Sequence, residues 1–154
     1  MSLLIKSIVF TLLLPGTVAF LFPLKIIEGR VLYESWSLFF GGSLMLAGIS
    51  LYCWCVWDFI MVGKGTPAPI EAPKYLVVRG LYHYSRNPMY IAVLSVILAW
   101  FLLSLNGFVL LYGLLVLACF QIMIVNYEEP MLDEMFHADY LLYKKQVNRW
   151  LPWF

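Results

Sequence analysis

Arg86 stands immediately before Asn87-Pro88, and Glu128 and Glu129 stand side by side at the far end of a run, residues 87–127, that holds no charged side chain. A guanidinium presents a planar fork of donors matched to a carboxylate, and a glutamate pair offers acceptors to an ammonium or a second guanidinium. If the intervening chain returns the glutamates to the level of Arg86, the cluster can bind a small molecule carrying both signs of charge. Asn87-Pro88 adds to this set. Proline in the first turn of a helix costs no helical hydrogen bond, and the helix start aims free N–H groups and partial positive charge at an anion.

Each feature taken alone has a plainer reading. Arg86 could reach lipid headgroups, His83 could be an interface residue, and Tyr82, Tyr84 and Tyr90 could form an aromatic belt. The glutamates are harder to dismiss. Negative charge at a helix C-terminus opposes the helix dipole and calls for a compensating cation, for which Arg86, Arg149 or a cationic ligand are the candidates. Adjacent helical side chains diverge by about 100°, so Glu128 and Glu129 can serve different partners.

The elements that must position these residues are apolar helices. Of 154 residues, 63% are hydrophobic and 12% charged, against about a quarter charged in ordinary soluble domains. Uncharged stretches lie between Lys6 and Lys25, between Glu34 and Asp58, and between Arg86 and Glu128. A single helix over the last would be about 60 Å long, twice the hydrocarbon thickness, so it must fold back. Asn106-Gly107 near its middle is a turn signal. The reading is all-α and polytopic: four transmembrane helices over 7–24, 35–62, 88–105 and 108–127, the last two forming a hairpin, all in one domain. The first run reads as a span and not as a cleaved leader, because it is long, contains Pro15 and lacks a small-residue cleavage site.

Four spans put both termini on the side that carries Lys64, Lys74, Arg79, Arg86, Lys144, Lys145 and Arg149, against Lys25 and Arg30 opposite. The positive-inside rule makes that side cytoplasmic. A formal net charge of +1 gives no reason to expect nucleic acid. Nor is a metal expected. Cys53 and Cys55 point about 200° apart on a helix, and Cys119 lies in another span, so the thiols read as small apolar residues. Asp58, close to Gly63, reads as a solvated helix end.

Polar chemistry collects in two segments at the cytoplasmic face. One is the loop before Arg86, stiffened by Pro67, Pro69 and Pro73 and turned at Gly63, Gly65 and Gly80. The other follows Pro130, where Leu132, Phe136, Tyr140, Tyr143 and Val147 share one face of an amphipathic helix that could lie on the membrane or fold over the hairpin.

The stretches "GLYHYSRNPMYIAVL" and "NYEEPMLDEMFHADYLLYKKQVNRWLP" resemble the isoprenylcysteine carboxyl methyltransferase family, whose relatives include the phospholipid N-methyltransferases. The likeness covers about residues 63–152 and is that of a small prokaryotic-type member. It implies an integral membrane enzyme, in a prokaryotic plasma membrane, that binds S-adenosylmethionine and methylates a lipophilic acceptor entering from the bilayer. The acceptor group would be a carboxylate, amine or thiol. It implies cofactor binding by Gly80, Tyr82, Arg86, Asn87, Pro88, Tyr90, Glu128 and Glu129. Tyr140, Tyr143, Arg149 and Pro152 match the family's tail pattern. Arg149 would orient a carboxylate acceptor; Glu128, Glu129 or His83 could take a proton from an amine. Asn87 replaces the more familiar histidine, losing a titratable ring but keeping a donor and an acceptor, while His137 and Ala92 stand where relatives often have glycine. The competing reading is a small transport or accessory subunit whose Arg-Glu pairs are structural.

Overall fold

The computed structural model describes residues 3–31, 34–65 and 74–151, and every regular element among them is helical. Pro67, Pro69, Pro73 and Pro152 lie outside the described residues. The first helical run comprises α1 (Leu3–Leu13), a π turn (Thr17–Leu21) and α2 (Phe22–Ile27). Pro15 removes a helical donor at the bend, and the Thr17 hydroxyl donates back to the Leu13 and Leu14 carbonyls at 2.7 and 2.8 Å. Carbonyls of the π turn are answered from across the bundle: Trp100 Nε1 donates to Ala19 O at 3.0 Å and the Tyr112 hydroxyl to Val18 O at 2.9 Å. In an apolar surrounding, such partners remove the cost of an unpaired carbonyl.

The second run is α3 (Ser35–Asp58), prolonged by a π turn (Phe59–Gly63) and ended by Lys64 in the left-handed region. Then a single 3-10 turn (Gly80–His83) leads into α4 (Pro88–Ser104). The hairpin follows as the sequence predicts, with the reversal one residue early. Leu105 takes φ 48°, and the Asn106 side chain caps α5 (Gly107–Met123) by accepting from Phe108 N at 2.9 Å.

The expectation of four transmembrane helices needs correction. Among the described residues, three runs are long and apolar enough to cross a membrane: Leu3–Ile27, Ser35–Gly63 and Gly107–Gln146. With 17 residues, α4 is about 26 Å long, short of the ~30 Å hydrocarbon core. Pro88 sets its start and the left-handed Leu105 its end. It is also the innermost helix, with Ala92, Ile97 and Ala99 at most 1% exposed. Against it, α3 presents Gly41 and Gly48; a Cβ on either would come within 2.7 Å of Leu103 or 2.8 Å of Val96. Such close backbone approach is how apolar helices gain dispersion contacts where lipid removes the hydrophobic driving force.

The tail also differs from expectation. Instead of starting anew after Pro130, the helix runs on from α5 through a π turn (Ile124–Glu128) into α6 (Glu129–Gln146), which is kinked at His137. Pro130 has no N–H to offer the preceding turn, and the wider π turn accommodates this without a break. The face carrying Tyr140, Tyr143 and Val147 is buried with Leu76, Leu132 and Phe136, so α6 folds over the loop before α4.

Candidate functional site

At the end of the bundle where α4 begins, α6 and residues 76–90 enclose a cavity of about 110 Å³. Its apolar wall is Phe59, Leu76, Val77, Met89, Ile124 and Leu132; its polar wall is Tyr82, Arg86, Asn87, Tyr90, Glu128, Glu129, Tyr140 and Tyr143. The hairpin therefore brings Arg86 and both glutamates to one place, across 41 uncharged residues.

Glu129 is the anchor. Arg149 grips it bidentately, Nε to Oε1 at 2.8 Å and Nη2 to Oε2 at 3.0 Å, while Arg86 Nη1 reaches Oε1 at 3.1 Å. The carboxylate is only 15% exposed and Arg86 11%, so the pair is held mostly away from water, where a lone charge is costly. The hydrogen bond to Glu129 raises the Arg149 pKa above its ordinary value, and the guanidinium stays charged. Arg86 Nη1 also donates to the Tyr140 hydroxyl at 3.3 Å. Its Nε is buried with no partner among the described residues, which leaves a charged donor unsatisfied beside the cavity.

Glu128 behaves differently from its neighbour. It accepts from the Tyr90 hydroxyl, and among the described residues no cation pairs with it. Tyr90 is itself braced against Phe120, ring centroids 4.4 Å apart. The two adjacent glutamates thus take separate partners, and the π turn that delivers them sits where helix irregularities often accompany sites.

The loop before α4 is held by the tail. Arg86 N donates to Asn148 O at 2.9 Å, and Asn87 Nδ2 and Ser85 Oγ donate to Arg149 O at 3.0 and 3.2 Å. Asn87 N donates to Ser85 Oγ at 3.1 Å, so the Asn87 side chain ties down the tail and leaves α4 without a side-chain cap. On the opposite wall the Tyr143 hydroxyl donates to Tyr82 O at 2.6 Å. Burial pushes the Tyr82 phenol well above its usual range, which keeps it neutral.

Four residues singled out from sequence, Pro88, Arg149, Gly80 and His83, do not line the cavity. Pro88 is buried at the start of α4, and Arg149 acts from behind Glu129. Gly80 has φ 60° and packs on α3, where an added Cβ would lie 2.5 Å from Asp58 Oδ2. His83 is exposed and faces a different cleft. Asp58 corrects the expectation of a solvated helix end. It is 3% exposed, because the helix continues to Gly63 and the following loop folds back to place Arg79 Nε 3.2 Å from Oδ1. Phe59, Leu76 and Val77 were not foreseen as lining residues. Only the return of the loop places them there.

His137, which replaces a glycine common in the resembling family, has φ 44° and ψ −117° in the middle of α6. A residue with a Cβ is strained there, which gives the glycine a physical reason. The family model for phospholipid methyltransferases matches residues 36–139, well over half of the chain. Neither a curated protein nor a solved structure matches it. The matched segment holds α3, the hairpin, Arg86, both glutamates and most of the cavity wall, and with its apolar helices the chain belongs to the phospholipid methyltransferase family of membrane methyltransferases.

Proposed function

We propose that the protein transfers a methyl group from S-adenosylmethionine to a lipophilic acceptor that reaches the cavity from the bilayer. The observation that carries this reading is the pairing of unmet needs in one cavity: a buried Arg86 Nε without an acceptor and a Glu128 carboxylate without a cation. The cofactor has a carboxylate for the first and an ammonium for the second, and tyrosine faces suit a sulfonium. When bound, it supplies a methyl group already activated by that sulfonium.

The chain's own residues then bind, orient and exclude water. Arg86 holds the anionic group, Glu129 fixes Arg86, and Arg149, with its donors on Glu129, is a positioning residue. Leu76, Val77, Met89 and Leu132 keep the reacting groups dry, so most of the rate enhancement comes from orientation in a desolvated space. An ionised carboxylate or a thiolate acceptor needs no base; an amine must arrive unprotonated or give its proton to Glu128. The acceptor class spans the lipid amines suggested by the family and the prenyl carboxylates suggested by the motifs. With α4 taken as a shorter fourth crossing that completes the hairpin, the positive-inside rule favours both termini and the cavity on the cytoplasmic side of what would be a prokaryotic plasma membrane.

Calorimetric titration of the detergent-purified protein with S-adenosylmethionine tests the reading. Wild type is expected to bind, and Arg86→Ala and Glu129→Gln to lose at least about tenfold in affinity while folded. A folded wild type that does not bind would overturn it and return the Arg-Glu cluster to a structural role in a transport or accessory subunit.

A further inference from the structure

We propose that residues 138–150 form a lid over the cavity, hinged at His137, held shut against backbone strain at that hinge and latched by the Asp133–Lys144 ion pair. Two observations show that α6 is two limbs and not one rod. His137 takes φ 44° and ψ −117° inside it. Lys144 Nζ lies 2.7 Å from Asp133 Oδ2, although the two residues are 11 apart in sequence. On a straight helix that spacing is about 16 Å, too far for their side chains to meet. The second limb therefore folds back on the first, and Tyr140, Tyr143 and Val147 pack against Leu132 and Phe136.

The folded-back limb closes part of the cavity. Tyr140 and Tyr143 line it, and past them Asn148 O accepts from Arg86 N, Arg149 grips Glu129, and Trp150 Nε1 donates to Gln121 Oε1 at 2.8 Å. These contacts hold His137 in a backbone conformation that glycine adopts freely and a residue with a Cβ does not. His137 is exposed, so no packing of its ring compensates. When the contacts part, ordinary helical angles relieve the strain, α6 straightens, and Tyr140 and Tyr143 leave the cavity. Strain thus favours the open lid and the contacts favour the closed one. The latch acts where it matters, since Lys144 also sits 5.1 Å over the ring of Tyr140. This inference concerns how often the cavity opens and does not depend on the methyl-transfer reading.

The test is hydrogen–deuterium exchange of the full-length protein in maltoside micelles, with no ligand added. His137→Gly relieves the closed form and disfavours the straightened helix, so amides of residues 139–149 should exchange at least about fivefold more slowly. His137→Ala keeps the Cβ and should exchange as fast as wild type or faster. Lys144→Gln should speed the same amides about twofold, in keeping with a partly exposed ion pair. Wild-type rates in His137→Gly would overturn the hinge. So would equal slowing in His137→Ala, which would trace the effect to loss of the imidazole, and so would equal changes over residues 129–136, which would make α6 a single unit. Unchanged rates in Lys144→Gln would overturn the latch. Circular dichroism verifies that each variant is folded.

Discussion

Two carboxylates at the same end of the bundle, Glu129 and Asp58, are each mostly buried and each meet arginine, yet they do different work. Glu129 has both oxygens on guanidinium donors, from Arg86 and Arg149, and the cluster opens onto a cavity with Arg86 Nε to spare. Asp58 has one oxygen on Arg79, a residue 58% exposed, and the other packed without a partner against Gly80. The first arrangement lines a cavity. The second holds a loop in place, so the two buried ion pairs differ in whether their residues also line a cavity.

The comparison can be broken most easily at Glu129. Glu129→Ala leaves two cations facing each other with little water, and should cost about 3 kcal/mol in a denaturant titration in detergent. Gly80→Ala comes next. It combines a left-handed backbone with a Cβ 2.5 Å from Asp58 Oδ2, for a loss of about 2 kcal/mol. In a double-mutant cycle Asp58→Ala should recover part of that loss, whereas additive effects would show that the two do not press on each other. His137→Gly should raise stability by about 1 kcal/mol by relieving the strained backbone, read as a higher midpoint. Arg79→Gln is the smallest, below about 1 kcal/mol, because its exposed guanidinium is largely solvated. If it proved as damaging as Arg86→Ala, the contrast between the two clusters would fail.

Legibility in the sequence followed how local the cause was. Arg86, Glu128 and Glu129 stood out because charge is rare in this chain, and Asn106-Gly107 was enough to fold the glutamates back toward Arg86. The reversal needed no tertiary knowledge. The end of α4 was read one residue late because Leu105 is apolar and nothing in its type announces a left-handed conformation. The unbroken helix through Pro130 was hidden by a π turn, which trades hydrogen-bond partners without changing residue types. The fate of Asp58 depended on where a loop returns, which no window around residue 58 contains. Gly80 and His137 show the converse: unusual backbone angles at both explain, after the fact, why glycine belongs at such positions.

The hydrogen bonds from Ser85, Arg86 and Asn87 to residues 148 and 149 have a further consequence for the order of events during synthesis. Those two residues follow every helix among the described residues, so they leave the ribosome after those helices have been made. Until then Glu129 lacks its bidentate partner and the loop before α4 has nothing to close against. A chain in which α6 has not yet been made is thus without a finished cavity, and its polar wall closes only once residues 148 and 149 can reach the loop before α4.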